Sequence, residues 1–446
     1  MKINKITSFS LLVFLSLSQL QAQEDLSTYF LTHSWQANRA NPAFYPDYKL
    51  VIGLPGVYND LFVSNITYND LIDQNGEVDI DAAIAKMGAD NQIRESLHLE
   101  TISLGLRLGK LSLSFGHSLR FNASMDYPKT LPQLIWQGNA QFIGQQVEFA
   151  PAIDLWGVHE FALGAGVELL SGLTVGGRVK WLSGEAAVVT ATDQQRLSLD
   201  TDPQIYQLTL DADYKVNASN SLVYNGLDEL KLNFDFGNFN ASQLFSKNSG
   251  LAFDLGIHFR SEKLELSASA LDIGGQVDWT EEVRNYEIKG NYEFDGLEFA
   301  AEILEDSSDF GSVLDTIEAR FPITETFNDF STSFPTRYYL GGQYHLNDTW
   351  RFGALLYMEN DQKETQLSTA VSANVLLGNA FNLGATYALR ADRADNLGLN
   401  VAVKLGPIQL VAATDNIITA IQPRNSHSAN VRLGLNLLFG KIEKDE

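Results

Sequence analysis

Apolar residues alternate with small or polar ones, at period two, along nearly the whole chain. Ile102, Leu104, Leu106 and Leu108 alternate with Ser103, Gly105 and Arg107. Gly109-Lys110 then supplies a two-residue turn, and Leu111, Leu113 and Phe115 alternate with Ser112, Ser114 and Gly116. Successive strand side chains point to opposite faces, so this stretch reads as a β-hairpin with one apolar face. Phe161 to Leu169 and Leu173 to Trp181 repeat the pattern across Ser171-Gly172, and Leu251 to Phe259 with Leu264 to Ala270 repeat it again. The last third runs Tyr339 to Tyr344, Trp350 to Tyr357, Leu367 to Leu377, Phe381 to Leu389, Leu397 to Leu405, Ile408 to Ala412 and Val431 to Phe439. Roughly 14 to 20 strand-like segments are expected.

Two architectures use such an alternation. A soluble sandwich turns its apolar faces to a core, whereas a membrane barrel turns them to lipid and lines its lumen with polar or small residues. The spacing of the strands favours the barrel. Many are joined by very short turns, while longer polar segments (Asp193 to Asp202, Asn217 to Asn248 and Asn285 to Pro335) separate others. Short turns on one rim and long loops on the other are what a barrel spanning an outer membrane requires. Trp181, Trp279, Tyr338, Tyr339, Trp350 and Tyr357 fall near strand ends, where interfacial girdles would place them.

The N-terminus points to export. Lys2 and Lys5 precede a short apolar core, Phe9 to Leu17, followed by Ser18, Gln19 and the small Ala22. This reads as a secretory signal over residues 1–22, because the core is well short of the ~20 apolar residues a helical span needs. No later stretch approaches that length. The 446 residues hold no cysteine, which excludes disulfides, thiolate metal sites and a lipidated-cysteine anchor. A net charge of −24 would repel phosphate backbones, so no nucleic-acid partner is expected.

The last strand carries the strongest local signal. In Arg432-Leu433-Gly434-Leu435-Asn436-Leu437-Leu438-Phe439, the residues Arg432, Gly434, Leu437 and Phe439 have the spacing of the barrel assembly signal, ahead of a short tail. Such an edge strand must pair to close a barrel. Helices are expected at Asp79 to Leu97, where Ile80, Ala83, Ile84 and Met87 recur at three and four, and at Glu298 to Ile317. Glu293 to Glu318 has acidic residues but no Lys or Arg, and reads as a solvated loop.

Several motifs resolve into ordinary structure. Asp73 to Asp81 resembles a calcium loop, but its glycine comes too early and Asn75-Gly76 is more simply a turn. The seven histidines have no zinc-site spacing, and Gly164-Ala165-Gly166 lacks the third glycine of a dinucleotide loop. No nucleophile-elbow, Walker or SxxK pattern occurs. No cofactor, metal or enzymatic activity is therefore expected.

Gln23 to Tyr48 precedes the first convincing strand. It contains Trp35-Gln36-Ala37-Asn38-Arg39-Ala40-Asn41-Pro42-Ala43-Phe44-Tyr45-Pro46. Asn-Pro and a second proline argue for turns, and the aromatic cluster argues for burial, either inside the barrel as a plug or in a weakly ordered periplasmic tail. Asn41-Pro42-Ala43 ahead of a long meander ending in the assembly signal resembles the FadL-like transporters of hydrophobic compounds. In that family an Asn-Pro-Ala motif belongs to an N-terminal hatch inside a barrel of about 14 strands. The segments Gln36 to Pro46, Gly250 to Gly256 and Asn425 to Gly440 look like a Bacteroidetes-type outer-membrane family of unknown function that covers nearly the whole chain. The chain departs from the FadL pattern in having Phe44 after Asn41-Pro42-Ala43.

The expected architecture is an all-β transmembrane antiparallel meander barrel of about 14 strands, with short loop helices. Its divisions are a signal at 1–22, a luminal plug or hatch at 23–48, the barrel at 49–440 and a tail at 441–446. The expected location is the outer membrane of a Gram-negative bacterium, with membrane lipid and the barrel assembly machinery as partners. Passive transport of a hydrophobic or amphipathic small molecule past a hatch carrying Trp35, Asn41, Pro42 and Phe44 is one expected function. The other is a non-conducting structural or docking subunit of an envelope or secretion assembly, with an envelope protein as its partner.

Overall fold

The computed structural model describes residues 26–73, 75–220, 222–223, 231–232, 243–295, 321–360, 365–378, 380–390 and 393–442. The expected signal at 1–22, the helix at Glu298 to Ile317, most of the acidic stretch and residues 443–446 lie outside them.

Fourteen antiparallel strands close into a ring. The first five are β1 (Tyr48–Val63), β2 (Asp90–Leu108), β3 (Leu111–Pro128), β4 (Ala152–Leu170) and β5 (Leu173–Thr201). Next come β6 (Ser249–Arg260), β7 (Leu264–Trp279), β8 (Thr336–His345), β9 (Trp350–Asn360) and β10 (Thr365–Leu377). β11 (Phe381–Arg390), β12 (Arg393–Leu405), β13 (Ile408–Thr414) and β14 (Ser428–Lys441) complete it. Each pairs with the next, and β14 returns to β1 from Tyr48↔Lys441 to Phe62↔Ser428. Closure leaves no free edge, the condition for a sheet in lipid.

The polarity is inside out. On β6, Leu251, Phe253, Leu255, Ile257 and Phe259 are exposed while Ala252, Asp254 and Gly256 between them are buried. The same alternation exposes Ile102, Leu104, Leu106 and Leu108 on β2 and buries Arg94, Ser96 and His98. An exposed apolar belt around a buried polar interior is the reverse of a soluble protein and matches a lipid-facing wall. Among the described residues no helix is long and apolar enough to cross a membrane.

One rim carries only short connections, at 109–110, 171–172, 261–263, 346–349, 378–380 and 406–407. The other carries the long ones. Four sequence expectations change there. Asp193 to Asp202, read as a loop, is up to Thr201 the upper part of β5, which pairs with Gln207–Ser219 and, through it, with Val283–Asp295. Its Leu197 and Leu199 alternate and pack beside Leu208 and Leu210 above the ring. The Asn217 to Asn248 and Asn285 to Pro335 segments likewise begin in these strands. The helix expected over Asp79 to Leu97 spans only Ile80–Lys86, capped by Asp79, whose carboxylate accepts from Ala82 N at 2.9 Å. Beyond Gly88 the residues from Asp90 join β2, because Gln92, Arg94 and Ser96 alternate at period two. Asn75-Gly76 does form a turn, with φ +87° at Gly76 and an Ile72↔Val78 bridge.

The aromatic girdle is also revised. Tyr338 and Trp350 are exposed, but Trp279, Tyr339 and Tyr357 have inward parity and are buried.

Candidate functional site

Residues 26–47 lie inside the ring. Locally they are a string of turns: a helical turn at Leu26–Tyr29 and a 3-10 turn at Trp35–Arg39. Asn41 then makes a side-chain turn, its Oδ1 accepting from Ala43 N at 2.8 Å, and Phe44 N donates to Asn41 O at 3.0 Å. Pro42 suits that turn because it has no N–H to satisfy.

The segment reaches walls on all sides. Leu26 N and Ser27 N donate to the Asp415 carboxylate at 2.9 and 2.8 Å, beyond β13. Tyr29 hydrogen-bonds Ser267 on β7 and stacks on Tyr339 of β8 at 5.8 Å. Trp35 Nε1 donates to Ser103 Oγ on β2 at 2.7 Å, and Gln36 exchanges amide hydrogen bonds with Asn436 on β14. Asn41 Nδ2 donates to Ile257 O and Ala268 O, carbonyls of β6 and β7, at 3.1 and 3.2 Å. Phe44 meets the His258 ring edge-on at 4.8 Å.

Inward glycines make room for these contacts. A methyl group added at Gly256 would come within 2.0 Å of Asn41 Oδ1, and one at Gly176 within 2.5 Å of Pro42 O. Others would meet the Trp35 ring at 2.5 Å from Gly105, Gln36 at 2.2 Å from Gly434 and Phe30 at 2.6 Å from Gly353. The wall is thus shaped around the segment.

Of the residues singled out from sequence, Trp35, Asn41 and Phe44 are buried within this packing, and Pro42 lies in it against Gly176. The terminal-strand residues divide by parity. Arg432 is buried, pairs with Glu100 at 3.1 Å and lies 4.7 Å over the Tyr58 ring, while Gly434 faces Gln36. Leu437 pairs with Ile52 and Ile408, and Phe439 is exposed.

A layer of charge, which sequence reasoning missed, sits against the segment. Asp272 pairs with Arg120 at 3.2 Å, with Lys180 at 2.7 Å and with Arg337. Lys180 also meets Asp254 at 2.9 Å, Arg120 meets Glu160 at 2.8 Å, and Arg178 joins Asp254 at 3.2 Å. Arg178 also donates to Asn38 O and Oδ1 at 2.6 and 2.8 Å, tying this layer to the segment. Asp272 reaches it from a bulge in β7, with φ +56° and its N–H donating to Asp254 Oδ1 at 2.8 Å. The one available sequence signal was a charged residue at the polar parity of each of several strands.

Cavities lie on both sides. On the long-loop side is one of about 290 Å³, lined by Arg94, His98, Arg120, Asn122, Arg337 and Glu359 among others. On the short-turn side is one of about 810 Å³, lined by His33, Asp47, Arg260, Arg351, Asn382 and Lys404 among others. Asp47, where the segment enters β1, pairs there with Arg260 at 3.0 Å and Arg107 at 3.6 Å. Among the described residues no His/Cys/Asp/Glu cluster is arranged to hold a metal.

A closed ring, an apolar exterior and a polar, occupied lumen define a transmembrane antiparallel β-barrel. Residues 42–415 match the model described as a family of unknown function (DUF5723), and the chain belongs to that family. No curated protein matches it. Similar solved structures include the P. putida toluene transporter TodX, at 11% identity and TM-score 0.45, covering 91% of this chain and 94% of that one. A Pseudomonas aeruginosa FadL homologue follows at 10% and 0.42, covering 92% and 95%. The Ralstonia pickettii toluene transporter TbuX stands at 10% and 0.34, covering 91% and 94%.

Proposed function

We propose that this barrel sits in an outer membrane, its short turns toward the periplasm, and passively transports a small amphipathic molecule past residues 26–47, which act as a plug. What supports this reading is the placement of one segment and the ion-paired layer against it between a cavity on the long-loop side and one on the short-turn side. A mere structural filler would need no such chambers. The polar lining of the long-loop cavity argues for a solute with hydrogen-bonding groups rather than a pure hydrocarbon. Membrane lipid and the assembly machinery remain the partners this topology calls for.

The tight fit of the segment favours a second reading, a non-conducting subunit that docks an envelope protein. Replacing Trp35 to Tyr45 with a Gly/Ser chain separates the two. As a plug, the segment's loss makes proteoliposomes leak small solutes, and the intact barrel admits its substrate selectively. An intact barrel that passes no solute, and is recovered with a stoichiometric protein partner, means docking. Unchanged leakage after replacement means the segment is not the plug.

A further inference from the structure

The lumen is electrically lopsided. The inward faces of β3 to β8 carry the ion-paired layer, whereas β10 has no charged residue at all. Across β10, β11 and β12 the inward side chains form rows of cross-strand neighbours. Leu376, Asn382 and Ala402 lie lowest, then Asn374, Gly384 and Asn400, then Ser372, Thr386 and Gly398, then Ala370, Ala388 and Asn396. Every polar group in these rows is an uncharged amide or hydroxyl. The lowest row borders the short-turn cavity.

These groups are buried yet incompletely satisfied. Asn374, Thr386 and Asn400 are each 1% exposed, and Asn374 Oδ1, Thr386 Oγ1, Asn400 Oδ1, Asn382 Oδ1 and Asn396 Nδ2 find no hydrogen-bond partner among the described residues. The amide nitrogens are committed elsewhere: Asn374 Nδ2 to Ser372 Oγ and Asn400 Nδ2 to Ser27 O, both at 3.3 Å. That fixes both oxygens toward Gly384, where a methyl group would lie 1.9 Å from one and 2.6 Å from the other. Two buried acceptors converging with no donor between them is a costly arrangement unless a donor-bearing molecule visits.

We propose that this wall is the conducting path, and that it selects small uncharged molecules bearing hydroxyl or amide groups, which exchange water for its amides and hydroxyls in turn. The proposal rests on the transport reading and gives it a route and a solute class. Within these rows an ion finds only uncharged groups; the charges nearest them are the Asp415 carboxylate beside Gly398, already bonded to Leu26 N and Ser27 N, and Lys404 in the short-turn cavity, so its lost water would be poorly compensated. A hydrocarbon would leave the same oxygens unpaired.

The experiment uses the full barrel in proteoliposomes, with glycerol as probe and lactate and toluene as comparisons. Glycerol is expected to enter well ahead of lactate. Thr386→Val is expected to cut its flux at least fivefold while thermal stability holds or rises, because it removes an unpaired oxygen; Asn400→Leu is expected to cut flux as far but to lose some stability, because it also gives up the hydrogen bond to Ser27 O. Asn382→Leu, at the cavity end, serves as a third variant should either misfold. Glycerol flux that no folded variant alters overturns the proposal. Toluene flux without glycerol flux overturns this route but leaves transport standing. A barrel that passes none of the three sinks both.

Discussion

Asp272 shows at the scale of one residue what the lumen demands. It is fully buried and neutralises parts of Arg120, Lys180 and Arg337 at once. Removing one member of a buried network strands the others without a counter-charge, and typically costs about 3–5 kcal/mol. Asp272→Ala is therefore expected to lower stability by that order in denaturant titration of the detergent-solubilised barrel, with Asp272→Asn losing less by keeping some hydrogen bonds. A loss below about 1 kcal/mol, the scale of a surface pair, would show that the layer is not electrostatically coupled. None of this pairing was legible in the sequence. Arg120, Glu160, Lys180, Asp254 and Arg337 lie on five different strands, and only closure of the ring brings them together.

Elements were legible where one periodicity ruled and illegible where two met. The hairpin from Ile102 through Gly109-Lys110 to Phe115 formed as its alternation required. Asp79 to Leu97 did not form one helix, because its three-and-four spacing ends at Met87 and a period-two pattern takes over at Asp90. Trp279, Tyr339 and Tyr357 lie near strand ends, but parity outweighed position, and each faces inward toward a partner; for Tyr339 that partner is Tyr29. The N-terminal segment shows the same limit. Burial of its aromatics followed from composition, but the wall contacts depend on glycines far along the chain, on strands from β2 to β14. Gly256→Val tests that fit between elements. Its side chain would displace Asn41 from the Ile257 and Ala268 carbonyls, and overpacking of this kind costs roughly 1–3 kcal/mol. The expected readouts are a lower unfolding temperature and protease sensitivity at Arg39, with the ring still resisting cleavage. An unchanged digestion pattern would mean that the segment tolerates displacement.

At the scale of the whole molecule, orientation follows from the asymmetry of the rims. Short turns lie at the end where β1 begins and β14 finishes, and long connections and added strands lie at the other. A barrel inserted from the periplasm carries its long connections across the membrane and keeps its short turns behind. The absence of cysteine makes the placement testable with single introduced thiols. Val78, 61% exposed on a long connection, and Leu346, 57% exposed in a short turn, are suitable positions. A membrane-impermeant maleimide is expected to label Val78→Cys on intact cells, and Leu346→Cys only after the outer membrane is permeabilised. The reverse pattern would invert the barrel, making the cavity of about 810 Å³ the outward-facing chamber. Labelling of both on intact cells would remove the sealed wall on which any selective passage depends.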